Sequence, residues 1–351
     1  MQWSFKIGSI FGIPIKVHVT FLIFLIFIAG RSSGAAGLIA IGLIFGCVIL
    51  HELGHSLAAR KFGIPVDSIT LWPIGGVASM RALPRSPWAE FVMAIAGPLV
   101  SVALGCLFAL LAAKMYGPGI WHALLAGHHG VPLLGELASI NVFLAAFNLI
   151  PAFPMDGGRV LRSILWSRKG FFRATSLAAT IGKVLAVLFF VGALFSSKTT
   201  LILIAVFIYF GADSEGQMAA WMQALSQVPV AQAMQTNLAS VRPDQTIEDA
   251  ALLMSRTDQT NFPVMTVTEP AGVLTQPALF RAIRDGKFDR PIADFMTKEL
   301  IYCRPDDNLA TVMHVMDKRN LPCVLVVDAD AIVGMVTPDQ IYQAGKRTNE
   351  R

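Results

Sequence analysis

The chain has 351 residues, 54% of them hydrophobic and only 15% charged, where an ordinary soluble domain carries about 25% charged residues. The deficit lies in the first two thirds; beyond about residue 226 the chain turns polar, so a membrane domain followed by a soluble one is expected. A net charge of +5 with no basic helix speaks against a nucleic-acid surface and fits basic loops beside a membrane.

A membrane span needs about 20 mostly apolar residues. Apolar runs occur at about 17–36, 37–59, 88–113, 134–150, 177–196 and 199–213. The first could pass for a signal peptide. The polar lead of 16 residues before it, and the second run straight after it, predict an uncleaved helix instead. Lys183 in the fifth run has no evident partner; it either snorkels or lines a water-filled cavity. Residues 66–85 are apolar but broken by Pro73, Gly75 and Gly76. They read as a strand or hairpin dipping into the membrane, which is tolerated only inside protein or against a cavity. The expected fold is a polytopic α-helical membrane domain over 1–213, with about six spans and a membrane-dipping β-hairpin. Eleven lysines and arginines, from Lys6 to Arg173, flank one side of these runs. Only Arg31, Lys114 and Lys198 flank the other. The positive-inside rule then places both termini in the cytoplasm. The four cysteines, Cys47, Cys106, Cys303 and Cys323, show no C-x-x-C spacing and read as free thiols in a reducing compartment.

Residues 214–227 read as an amphipathic linker. Met218, Trp221, Met222 and Leu225 fall at i, i+3, i+4 and i+7. That single apolar stripe suits either a helix on the membrane surface or one packed on its own domain. Beyond it lies an internal repeat with a constant offset of 62 residues. Pro229-Val-Ala-Gln-Ala-Met234 matches Pro291-Ile-Ala-Asp-Phe-Met296, Arg242-Pro-Asp244 matches Arg304-Pro-Asp306, and Gly272-Val-Leu-Thr275 matches Gly334-Met-Val-Thr337. Each unit, 228–289 and 290–347, reads strand, helix, strand, strand, helix. Thr246–Arg256 is expected to be a helix and Cys323–Val327 a buried strand.

His51-Glu52-Leu53-Gly54-His55 stands at the end of the second apolar run. A charged group at mid-bilayer costs roughly 2.5–3.5 kcal/mol, so such residues are functional candidates by default. Positions four apart share a helix face. His51 and His55 can therefore hold one zinc ion through their imidazoles, with Glu52 beside it as general base. Catalytic zinc usually takes a third protein ligand. Asp156 is the candidate, with Pro151 and Pro154 before it to stop a helix and Gly157 and Gly158 after it to allow a tight bend. Taken alone, Asp156 could also cap the helix beginning near Gly158.

The H-E-x-x-H in a span and the loop Asn148-x-x-Pro151-x-x-x-x-Asp156-Gly157 together resemble the site-2 protease family of intramembrane zinc metalloproteases. The repeat resembles a tandem pair of cystathionine-beta-synthase (CBS) domains, an arrangement found in the bacterial and archaeal branch of that family. The resemblance covers nearly the whole chain. It implies hydrolysis of a peptide bond in a membrane-embedded protein substrate, one zinc per chain held by His51, His55 and Asp156, and cytosolic CBS domains that regulate or dock. An Asn on the span before the Asp loop is thought in that family to hold substrate or oxyanion. Asn141 matches that position, although it can equally bond between spans; Asn148 is similarly open, and can instead fix the loop. Gly75 and Gly76 lie in the family's membrane-dipping hairpin, where an unwound substrate strand is thought to pair.

CBS pairs often bind an adenine nucleotide through an Asp three residues after their final Thr. Here Ala278 follows Thr275 and Gln340 follows Thr337 at that spacing, with Asp339 one residue early. Nucleotide contacts at Thr275, Thr337 and Asp339 remain open beside a dimerisation or substrate-docking role. CBS pairs commonly associate, so a homo-oligomer is expected. The competing readings are a CBS-regulated membrane transporter and a catalytically inactive scaffold that binds membrane proteins. The first predicts charges spread along several spans, whereas here they gather at one metal-type cluster.

Overall fold

Phe11 and Gly12 both hold positive φ, 49° and 73°, as a two-residue type I′ turn requires. They fold strand β1 (Ser4–Ile10) back on β2 (Ile13–His18), with Ile10 opposite Ile13. The computed structural model describes residues 3–29, 35–73, 75–80, 84–117, 132–196, 199–267, 269–319, 321–329 and 331–349. It divides into two compact units, residues 1–219 and 220–351. Along β2, Ile13, Ile15 and Val17 are buried while Pro14, Lys16 and His18 are less so, the period of two of a half-buried strand. The polar lead is therefore a hairpin, and the first apolar run begins inside β2. Helix α1 covers Val19–Ala29.

The hairpin expected over 66–85 is present as β3 (Val66–Trp72) and β4 (Gly75–Met80). β3 also pairs in parallel with β2, giving one sheet in the order β1-β2-β3-β4. Helix α2 (Ala35–Lys61) packs on this sheet. Ile13, Ile15, Val66 and Ile69 from the strands share one cluster with Leu53 and Ala59 of α2 and Met93.

Among the described residues, four helices are long and apolar enough to cross a membrane: α2, α3 (Pro87–Tyr116), α6 (Phe171–Ser196) and α7 (Thr199–Leu225). Their outer faces expose large apolar side chains such as Leu110, Leu188, Phe195 and Phe210, as lipid-facing surfaces do. Two helices between α3 and α6 are shorter. Apolar α4 (Leu133–Asn148) has 16 residues, and α5 (Asp156–Lys169) has 14 and ends in Arg168 and Lys169. Between α6, α7 and the 149–155 turn, small residues pack beside Phe153, Met155 and Ile208. Ala152, Ala178, Ala179, Ala186 and Ala212 are all buried. A Cβ on Gly211 would stand 2.4 Å from Pro154 Cδ, so bare backbone lets α7 approach the turn that carries Asp156. Lys183 of α6 is not alone, for its Nζ lies 2.6 Å from Asp213 Oδ1 on α7.

The second unit has two α+β halves. The first has α8 (Ile247–Arg256), β5 (Phe262–Met265), β6 (Pro270–Leu274) and α9 (Gln276–Arg284). The second has β7 (Tyr302–Cys303), α10 (Leu309–Arg319), β8 (Val324–Asp328), β9 (Ala331–Val336) and α11 (Pro338–Asn349). The opening segment of each repeat packs on the other. Val228 and Val230 enter the core of Leu309, Val326 and Ile341, and Ile292 enters the core of Ile247, Phe262 and Leu279. The bridges repeat with the sequence: Pro229 meets Asn308 and Pro291 meets Thr246, while Gln235 meets Met335 and Thr297 meets Val273. Trp221, Met222 and Leu225, on the last turns of α7, pack against the core of the second repeat. This part of the apolar stripe therefore lies on its own domain rather than on a membrane surface. Burial raises the Cys303 and Cys323 thiols to about 12, with Asp307 adding to the effect at Cys303, so both are unreactive.

Thr246 caps α8 through a reciprocal box with Asp249. Thr246→Ala is expected to weaken the cap by about 1 kcal/mol. Amide hydrogen exchange of the full-length protein in detergent should then show roughly five-fold faster exchange in the first turn of α8.

Candidate metal centre

Helix α2 sets His51 and His55 one turn apart, with ring centroids 4.9 Å apart. Asp156 arrives from a distance of about 100 residues, as the first residue of α5. The turn before it doubles back tightly: a Cβ on Gly157 would lie 2.2 Å from the Ile150 carbonyl oxygen, and one on Gly158 2.6 Å from Phe153 N. Only bare backbone fits at these two places.

Three donor atoms converge as a result. His51 Nε2 and His55 Nε2 are 3.2 Å apart, and Asp156 Oδ2 is 3.3 Å from the first and 3.0 Å from the second. The two imidazoles are buried. Ligands about 2.0–2.2 Å from a tetrahedral zinc sit roughly 3.3 Å from one another, so the triangle has the right size for three of its four corners. The donor set, two imidazole nitrogens and one carboxylate oxygen, is also a zinc set. Among the described residues this is the group of His, Cys, Asp and Glu side chains arranged to hold an ion.

Helix α3 orients the two imidazoles. His51 Nδ1 is 2.8 Å from Ser101 Oγ, and His55 Nδ1 is 2.7 Å from the Met93 carbonyl oxygen. The carbonyl can only accept, so His55 Nδ1 carries the hydrogen and leaves Nε2 with a lone pair facing the triangle. Between these contacts lies Gly97, where a Cβ would stand 2.1 Å from His55 Nε2 and 2.7 Å from His51 Nε2. Met93, Gly97 and Ser101, spaced four apart, thus form one face of α3 laid flat on the donors. Sequence reasoning did not find Met93 or Ser101. The signal available was the i, i+4, i+8 spacing around Pro98, which means nothing until α3 is known to face α2.

Glu52 is half-buried and lies against β4, where a Cβ on Gly76 would stand 2.6 Å from Glu52 Cγ. Gly75, with φ 142°, opens that strand opposite Trp72. The two asparagines differ. Asn141 is fully buried on α4 and its amide donates to the Leu137 carbonyl of its own helix. Asn148, at the end of α4, is half-buried and makes no side-chain hydrogen bond to the described residues. In the second unit, Thr275 and Thr337 accept from Ala278 N and Gln340 N as helix caps. Asp339 is exposed at the start of α11, where it lines a cleft of about 280 Å³ with Gln232 and Arg347. The structure brings His51, Glu52, His55, Asp156 and Gly76 to one place.

Removing the hydroxyl at Ser101 leaves His51 Nδ1 without its partner. Ser101→Ala is expected to weaken zinc binding by about 10- to 100-fold, measured by competition with a chelator. Gly97→Ala, which drives a methyl group into both imidazoles, should abolish binding.

Residues 39–131 and 124–190 match Peptidase family M50, and residues 230–285 and 292–346 each match the CBS domain. Zinc metalloprotease MJ0392 of Methanocaldococcus jannaschii is 34% identical over 98% of this chain and 96% of its own. The putative zinc metalloprotease Rip3 of Mycobacterium tuberculosis is 28% identical over 97% and 92%. Among solved structures, the site-2 protease from Methanocaldococcus jannaschii is 40% identical, covering 61% of this chain and 95% of that one with a TM-score of 0.46. With a metalloprotease similar along almost the whole of both chains, this chain belongs to peptidase family M50, as a multi-pass membrane zinc metalloprotease with a C-terminal CBS pair.

Proposed function

We propose that His51, His55 and Asp156 hold the zinc and that Glu52 is the general base for hydrolysis of a peptide bond in a membrane-embedded substrate. The observation that carries this reading is the triangle of two Nε2 atoms and one carboxylate oxygen, with Glu52 beside it and bound to no other described side chain. Bound zinc supplies a Lewis acid that polarises the scissile carbonyl and brings the pKa of a water towards 7. Glu52 takes the proton of the attacking water and passes it to the leaving nitrogen. Met93 and Ser101 keep both Nε2 lone pairs aimed inward. Apolar helices around the site limit its water and strengthen each of these interactions.

Helical carbonyls are already hydrogen-bonded, so the substrate must unwind before it is cut. β4 is an edge of the sheet, and Gly75 and Gly76 offer unobstructed backbone for strand pairing beside Glu52. Asn141 and Asn148 are the candidates to bond substrate or oxyanion; Asn141 gives one amide hydrogen to Leu137 and keeps a second, and its buried Oδ1 has no partner among the described residues. In the proposed topology both termini and the CBS pair are cytoplasmic. The CBS pair regulates access or docks substrate, takes an adenine nucleotide near Thr275, Thr337 and Asp339, and joins copies of the chain.

Metal analysis of the full-length protein tests the assignment. We expect about one zinc per chain, largely lost in Asp156→Ala. Glu52→Gln should keep its zinc yet cut a single-span reporter in proteoliposomes about 10²- to 10⁴-fold more slowly. Zinc retained in Asp156→Ala would remove that residue from the ligand set, and an active Glu52→Gln would remove the base.

A further inference from the structure

The two halves of the metal site come from different helices, α2 and α5, and must be set relative to each other to within a few tenths of an ångström. Contacts from α3 hold the α2 half. The α5 half is held by a buried ion pair that the metal site does not use. Arg162, on α5 two turns beyond Asp156, donates from Nε to Glu90 Oε1 on α3 at 2.7 Å. Glu90 is 2% exposed and Arg162 is 6% exposed. Glu90 stands three residues before Met93, on the same α3 face as Met93, Gly97 and Ser101. The guanidinium also lies 5.1 Å from the ring centre of Phe153, in the turn that carries Asp156. It is 4.8 Å from the ring of Phe171 on α6 and 3.4 Å from Glu215 on α7.

We infer that the Glu90–Arg162 pair positions the third zinc ligand, making α3 the common template for His51, His55 and Asp156. Its geometry is a poor source of stability. Both guanidinium contacts fall on Glu90 Oε1, and Oε2 is buried with no hydrogen-bond partner. A buried ion pair with an orphaned oxygen contributes little beyond an apolar pair of the same volume. What it adds is direction. Arg162 has a planar fork of donors, and with its charge on Glu90 and its faces near two rings, α5 has one rotation and one height against α3. Asp156 lies about 9 Å along the helix axis from Arg162, so a small slip of α5 moves its carboxylate out of the triangle. Glu90 and Arg162 are positioning residues and touch neither substrate nor metal.

The inference rests on the proposed ligand set, and its test uses zinc affinity and the visible spectrum of the cobalt-substituted protein rather than turnover. Single changes that leave one charge buried alone risk misfolding, so the informative variant is the double change Glu90→Leu with Arg162→Met, accompanied by the reversed pair Glu90→Arg with Arg162→Glu. The apolar pair should fold, with a thermal midpoint near that of the parent. It should bind zinc at least ten-fold more weakly and shift the cobalt bands, and the reversed pair should recover part of the affinity. A folded apolar variant with parental zinc affinity and cobalt spectrum would overturn the inference, leaving the ligand assignment intact. A parent protein that binds no zinc would overturn both.

Discussion

Two imidazoles and a carboxylate can sit among apolar helices only if every polar atom has somewhere to point, since lipid supplies no partner. The imidazoles of the donor triangle are arranged around that requirement. The outer nitrogens of His51 and His55 are taken up by Ser101 and Met93 of α3. The inner nitrogens turn to Asp156 and to each other. Such an arrangement needs bare backbone at its close approaches: Gly97 against both imidazoles, Gly76 against Glu52, and Gly157 and Gly158 against the 149–153 turn. The sheet contributes in the same way. β4, at the edge of the sheet, lies against α2 and brings Gly76 onto Glu52.

Much of this could be read from the chain. His51, Glu52 and His55 are legible because helix geometry makes a spacing of four a spatial fact. Asp156 is legible through the prolines and glycines around it, and the soluble unit through its repeat of 62 residues. The missing parts are of two kinds. β1 and β2 are too short, and their Phe11–Gly12 turn too unlike Asn-Gly, to stand out beside strong apolar runs. The alternation of Ile13, Ile15 and Val17 was nevertheless present. Ser101, Gly97 and the Glu90–Arg162 pair are a different case. Their roles depend on which helices face each other, which local periodicity does not encode. Lys183 shows the same limit, because Asp213 is 30 residues away and becomes a partner only when α6 and α7 pack.

The soluble unit shows how an internal repeat can mislead about boundaries. The sequence divides it near residue 290, where one copy ends and the next begins. The cores divide it differently. Val228 and Val230 belong by sequence to the first repeat and by packing to the second, and Ile292 does the reverse. The matched bridges Pro229–Asn308 and Pro291–Thr246 make the exchange symmetrical, so the pair has an approximate two-fold relation between its halves. Hydrophobic periodicity identifies the helices and the paired strands, whereas the opening strand expected of the first repeat is only an isolated bridge between Val241 and Val264; nor can periodicity tell which copy an apolar residue will join.

That exchange makes truncation costly. A premature stop near residue 290 would not leave one intact repeat. It would deprive the first core of Ile292 and leave Val228 and Val230 with no core to enter, exposing apolar surface on the remaining half. The two repeats therefore form one folding unit, and a single copy grafted elsewhere would need a second copy to complete its core.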